Sequence, residues 1–278
     1  MTAARNVRLG IAGAVAARAA LAGAAALTER AAGAPWRRMN YARRPVTLLG
    51  GPALAASATL SSALGAPAGT RTAALVVGAV SGVVGGYDDL AGARPEQARD
   101  KGLAGHLAAL KEGRVSAGAV KVAGIGAAAA VAALLTRRGR GAGALLDGVL
   151  TTGLVAGTAN LVNLLDLRPG RAGKAGVLLA TTTVGGPAGG LVAGPLGATL
   201  AVLPEDLGER VMLGDCGANA LGSLLGLRLA SIPGRAPRAA LLAGIVGLTL
   251  ASETVRFTTV IEATPGLREL DRLGRRPS

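Results

Sequence analysis

The feature that most constrains this chain is the length of its apolar runs. Stretches of roughly 17–25 residues pass with almost no charged side chain, the length a helix needs to cross bilayer hydrocarbon. Between Thr72 and Tyr87, for instance, Ser81 is the only polar side chain. Charged residues make up 17% of the 278 residues, against about a quarter in soluble domains. The expected fold class is therefore all-α: a polytopic membrane protein embedded in the bilayer.

Nine spans are expected, at about 7–27, 47–65, 71–87, 115–135, 144–164, 174–187, 189–204, 218–232 and 239–256. The first carries Arg18 and lacks a cleavage site, so it reads as a span rather than a signal peptide. Glycine is frequent, at 44 residues, while aromatics are 1%. Small residues let helix backbones approach closely in lipid, where packing replaces the hydrophobic drive between helices.

Arg and Lys concentrate in one set of alternate loops, which the positive-inside rule makes cytoplasmic, with the N-terminus outside and the C-terminus inside. The expected organisation is one transmembrane domain over 1–256, with cytoplasmic loops 29–46, 88–121, 165–175 and 204–219, and a tail over 257–278. On that topology the net charge of +14 reflects basic loops, not a nucleic-acid partner. The single cysteine, Cys216, excludes an intrachain disulfide and a cysteine metal cluster.

Every unusual polar cluster falls on the cytoplasmic side. "VVGGYDDLAG" ends an apolar run on Asp88 and Asp89, side by side. Adjacent helical residues diverge by about 100°, so the two carboxylates point apart. At a helix C-terminus they also oppose the dipole, which calls for a metal, a basic substrate group or nearby Lys and Arg. "NLVNLLDLRPGR" places Asn160, Asn163 and Asp166 at i, i+3 and i+6, close in angle, and follows them with Arg168 and Arg171. Carboxamides and a carboxylate suit a hydroxyl- or amide-rich ligand, and arginines suit phosphate.

"LGDCGANALG" sets Asp215 among glycines, with Asn219 a helical turn later. That turn suits a hydrated Mg²⁺ bridging to phosphate; an ordinary N-cap aspartate is the plain alternative. Lys101 and His106, in "DKGLAGH", could assist with phosphates. Glu253 and Arg256, spaced i, i+3, read as an ion pair.

In this order the motifs resemble the polyprenyl-phosphate N-acetylhexosamine-1-phosphate transferase family, glycosyltransferases of family 4 that are phospho-N-acetylmuramoyl-pentapeptide transferase-like. "RRPVTLLGG" is similar to its first cytoplasmic loop, "GGYDDLAG" to its Asp-Asp motif and "DKGL" to its lysine segment. "NLVNLLD" resembles the Asn-x-x-Asn-x-x-Asp motif and "LGDCGANALG" the Gly-Asp-x-Gly motif; the likeness covers about 37–226.

The resemblance implies transfer of a sugar-1-phosphate from a UDP-activated amino sugar to a polyprenyl phosphate at the plasma membrane, with UMP released. It implies Asp88, Asp89 and Asp215 as catalytic residues. Asp215, with Asp89 and Asp166, would hold Mg²⁺, or Mn²⁺ in its place. Lys101, Asn160, Asn163, Asp166, Arg168, Arg171 and Asn219 would contact substrate, and the chain could pair as a homodimer.

Three departures point to a divergent, shortened branch, which the Ala-, Gly- and Arg-rich composition suggests is actinobacterial. "LAGAR" follows the Asp pair where a lysine is usual, "DLRPGR" replaces Asp-Gly-x-Asp-Gly, and residues after 256 carry no His-rich segment or tenth span. Two other classes fit the same chain: a non-catalytic member that binds polyprenyl phosphate or an envelope protein, and a small transporter.

Overall fold

A computed structural model describes residues 3–91 and 115–276. Its elements are α1 (Ala3–Thr28), a 3-10 turn (Ala31–Trp36), β1 (Arg37–Met39), β2 (Pro45–Thr47), α2 (Gly50–Gly65) and α3 (Arg71–Ala91). After the undescribed stretch come α4 (Ala117–Leu135), α5 (Ala142–Leu165), α6 (Arg171–Thr183), α7 (Gly190–Leu207), α8 (Gly214–Ala230) and α9 (Arg235–Thr254). Two short helices close the chain, α10 (Phe257–Ala263) and α11 (Leu267–Arg272). About 77% of the chain is helical, the composition of an all-α membrane protein.

Among the described residues four helices, α1, α3, α4 and α5, are long and apolar enough to cross a membrane; α9 with α10 makes a fifth if that pair, bent by 96°, counts as one span. The other expected spans are helical but shorter. α2, α6 and α8 have 16, 13 and 17 residues. At about 1.5 Å per residue α2 and α6 fall short of the ~30 Å of hydrocarbon, and α8 stands at the lower limit of about 17 residues.

Helix α8 is the hub. Nearly all its side chains from Gly214 to Leu229 are buried, and it packs against α5, α3 and α2. Glycine makes those crossings close. A Cβ on Gly226 would lie 2.6 Å from the Val155 Cα of α5, and one on Gly85 of α3 would lie 2.2 Å from the Asp215 carbonyl oxygen. With dispersion falling off within an ångström of contact, any larger residue at either position opens the bundle.

The segment expected to be a cytoplasmic loop, 29–46, contains a hairpin. β1 and β2 pair antiparallel, with Arg38 opposite Val46. The turn is closed by the Asn40 side-chain oxygen, which accepts from the backbone N–H of Ala42 and Arg44 at 2.9 Å. Thr47 then adds to the loop entering α8: the Met212 N–H donates to the Thr47 carbonyl at 2.9 Å. Glu209, buried in that loop, accepts from Asn40 Nδ2 at 2.6 Å and Arg44 Nη1 at 3.1 Å. The hairpin thus fixes the approach to Asp215.

The far end of the chain also returns to the bundle. α9 stops at Thr254 and Arg256 caps the next helix after the bend, so Glu253 and Arg256 do not share a helical face. The tail packs on the start of α6 through Arg171, buried at 5% exposure, whose guanidinium grips Asp271 at 2.8 and 3.1 Å. Arg275 pairs with Asp271 at 2.5 Å and donates to the Pro169 carbonyl at 2.9 Å. Arg171→Met is expected to loosen residues 257–276, seen as faster proteolysis there. Because Arg275 still neutralises Asp271, the stability loss should stay near 1–3 kcal/mol.

Candidate active site

Two consecutive residues at the end of α3 point apart, as helical geometry requires, and each finds a different partner. Asp88 turns to α4, where its Oδ2 lies 2.7 Å from the Lys121 ammonium. Asp89 turns to α8. Its two carboxylate oxygens accept from the backbone N–H groups of Asp215 and Cys216, both at 2.9 Å. A carboxylate opposed by its own helix dipole is thereby held on the positive end of another.

That seat depends on Gly214. Its φ of +57° lies in the left-handed region, and a Cβ there would stand 2.8 Å from both Asp89 carboxylate oxygens. No other residue type could hold this turn and leave room for the cap.

The third carboxylate joins through the same lysine. Asp215 Oδ2 lies 2.5 Å from Lys121 Nζ, so one ammonium bridges carboxylates from α3 and α8. All three side chains keep 16–26% exposure, which leaves the bridge open to a ligand at its edge. Arg38, from β1, donates to the Asp89 backbone carbonyl at 2.5 Å and to the carbonyls of Pro35 and Arg37 at 2.8 Å. A second cation therefore stands at the end of α3.

Asp166 follows the last residue of α5 and is buried. Burial, and then the carboxylates of Asp206, Asp215 and Asp89, push its carboxyl well above the usual range, despite a hydrogen bond from the Gly214 backbone. Asp206, itself buried, accepts from the Gly170 N–H at 3.1 Å and so fixes the loop that follows Asp166.

Four aspartates expected from three separate motifs thus meet at one end of the bundle. Several of their expected companions do other work. Asn160 is exposed and reaches toward Thr249 of α9 at 3.5 Å, away from the cluster. Three residues turn a helix by about 300°, so a stripe at i, i+3 and i+6 drifts by about 120°, too far to keep all three side chains in line. Asn163 is half-buried between them.

Asn219 is buried and donates to the Asp215 carbonyl at 2.7 Å, bracing the first turn of α8. Arg171 is committed to the tail, with Nη1 donating to Thr258 at 2.9 Å. Arg168 stacks over the Tyr41 ring, 4.2 Å from its centroid, tying the hairpin to the loop after α5. Lys101 and His106 lie outside the described residues.

The metal set expected of Asp215, Asp89 and Asp166 is not assembled. Among the described residues no group of three or more His, Cys, Asp or Glu side chains is arranged around one ion. Asp89 spends both oxygens on backbone N–H groups, and Lys121 stands between Asp88 and Asp215 where a cation would sit. As arranged, these residues do not fit a bound metal.

Lys121 is the residue that sequence reasoning missed. Position 121 closes the basic loop 88–121 and also falls within the expected span 115–135; it lies inside α4, the only charged side chain in "AGAVKVAGIGAAAAVAALL". An ionisable group in an apolar helix is a functional signal in its own right. Of the charges inside spans that a transport path would need, Arg18, Arg228 and Glu253, two are spent locally: Arg18 pairs with Glu205 at 3.4 Å, and Arg228 donates to the carbonyls of Thr183 and Gly185. Comparison with family models and with curated proteins returns no match.

Proposed function

We propose that this chain transfers a sugar-1-phosphate from a UDP-activated amino sugar to a polyprenyl phosphate at the plasma membrane. In this reading all nine apolar helices lie in the membrane, the N-terminus is outside, and the aspartate cluster faces the cytoplasm. The observation that carries it is the Lys121 bridge: side chains from α3, α4 and α8 converge on one ammonium at the end of the bundle where Asp166 also lies.

The chemistry asks for charge neutralisation and positioning more than for covalent catalysis. An oxygen of the lipid phosphate bonds to the sugar-bearing phosphorus. The bond from that phosphorus to the bridging oxygen breaks, and UMP leaves with the oxygen. Lys121 and Arg38 offset the charge of the phosphates. Asp89 is committed to the α8 cap, so Asp88 is the member of the pair that orients the lipid phosphate and takes its proton.

The test is radiolabel transfer from a panel of UDP-sugars to undecaprenyl phosphate, using the purified chain with and without Mg²⁺. Labelled lipid and UMP should appear in equal amounts with at least one sugar. Absence of turnover with every donor in both conditions would overturn the reading. The same lysine favours a second one: because Lys121 closes Asp88 and Asp215 onto itself, the site also suits a non-catalytic protein that holds a phosphorylated lipid. That protein would bind the lipid, release no UMP, and keep its cellular role after Asp215→Asn.

A further inference from the structure

The end of the bundle opposite the aspartates carries charge that the proposed reaction does not use. α4 runs from Lys121 at the site to Leu135, about 21 Å farther along its axis. The turn that follows, 136–141, holds Arg137, Arg138 and Arg140. All three are exposed, and among the described residues none donates a hydrogen bond or forms an ion pair. The negative end of the α4 dipole is worth about half a charge, so it leaves most of theirs uncompensated.

Two further arginines stand nearby. Arg235 and Arg238, from the start of α9, both pair with Asp147 of α5, at 2.9 and 2.5 Å. A Cβ on Gly143 would lie 2.7 Å from Arg235 Nη2, so this pair closes on the first turn of α5. Arg137 reaches the same turn at Ala144. Five guanidinium groups therefore gather around one carboxylate, which is already doubly paired. On the proposed topology this loop lies outside, against the bias that holds the other basic loops inside.

An apolar groove of about 540 Å³ runs between α4 and α5 and reaches Arg137, its one charged lining residue. Leu134, Leu145 and Val149, 67%, 69% and 57% exposed, form its walls. Gly148 lines it too, and a Cβ added there would meet nothing within 4 Å. Both helices are long and apolar enough to cross a membrane, so the groove opens to hydrocarbon.

We propose that this groove and the 136–141 turn form a site for an anionic phospholipid. One acyl chain lies between α4 and α5, and Arg137, Arg138 and Arg140 hold the headgroup phosphate. Hydrocarbon gains little on leaving lipid for an apolar groove, so selection among lipids comes from the head. Free guanidinium groups at the membrane surface supply it, since they fork onto phosphate and attract anionic lipid. A soluble polyanion would have no use for the groove. A second copy placed here by a twofold axis would set these arginines against their like. The site lies at the far end from the aspartates and does not rest on the transfer reading.

The test titrates phosphatidylglycerol and phosphatidylcholine of matched chains onto the detergent-purified chain, read by native mass spectrometry. Phosphatidylglycerol should bind roughly tenfold more tightly or better. Arg137→Gln, Arg138→Gln and Arg140→Gln together should bring it down to the phosphatidylcholine level. Arg30→Gln, Arg43→Gln and Arg272→Gln together remove the same charge from exposed positions elsewhere and should change it little. Gly148→Phe should weaken both lipids while lipid-free thermal unfolding stays as in the parent, and Ala130→Phe should fill the same groove from α4.

Phosphatidylglycerol binding kept in the first triple variant, or lost equally in the second, would overturn the head site. Binding kept in both groove variants would overturn the seat. Glycerophosphoglycerol, the same head without chains, binding as tightly as the lipid would assign the arginines to a soluble polyanion instead. A lipid-free dimer that the first triple variant splits would assign them to a second copy.

Discussion

Asp215→Asn is expected to lower UMP release by about 10²–10³-fold while leaving the protein folded. The reason lies in which atoms the fold uses. The Asp215 backbone N–H donates to Asp89, and its carbonyl accepts from Asn219; neither contact involves the carboxylate. An asparagine keeps both and keeps the shape. Lys121 retains Asp88 at 2.7 Å, so its charge stays compensated.

What Asp215→Asn removes is the anionic side of the bridge that fixes the ammonium between α3 and α8. Without it the phosphate-neutralising charge swings toward Asp88, and positioning is lost. The measurement is turnover against thermal unfolding for the same preparation. Full activity in Asp215→Asn would remove that carboxylate from the chemistry, and a cellular role kept without any turnover would favour the lipid-holding reading. Asp89→Asn should behave in the opposite sense. A carboxamide has one acceptor oxygen to meet two N–H groups, so α8 loses its cap and stability falls by roughly 1–3 kcal/mol.

The bundle's parts were legible in sequence because helix-length apolar runs have a single structural meaning in lipid. The meeting of Asp88, Asp89, Asp166 and Asp215 was legible because each ends or begins such a run on the same side. Finer features escaped for particular reasons. The reach of α3 past Tyr87 to Ala91 depends on Asp89 finding the N-terminus of α8, a contact between residues 126 positions apart. The hairpin is held largely by Asn40 and Glu209, polar residues with no periodic pattern. The tail helices are anchored by Arg171, which reads as a phosphate fork until Asp271 is seen on it. Lys121 falls in the overlap of the expected loop 88–121 and span 115–135, and nothing local in the sequence shows that Asp88 and Asp215 meet on it.

Lys121→Met tests that helix assignment and the bridge together. Methionine matches the length of lysine and suits the apolar surroundings of α4, so packing is preserved. Asp88 and Asp215, each within 2.7 Å of the lost ammonium, are left facing one another without it. Removing one partner of a fully buried pair costs about 3–5 kcal/mol, and the partial exposure of these side chains brings that down to about 2–3 kcal/mol. The repulsion has a signature that general loss of packing lacks. Adding Asp88→Asn to Lys121→Met should recover much of the lost stability, since one charge has then been removed for each sign. Transfer should stay low in the double variant, which lacks both the cation that neutralises phosphate and the carboxylate that takes the lipid phosphate's proton. Thermal unfolding in detergent reads the first effect and UMP release the second. A single variant as stable as the parent, or a double variant no better than the single, would mean that the ammonium does not join α3 to α8.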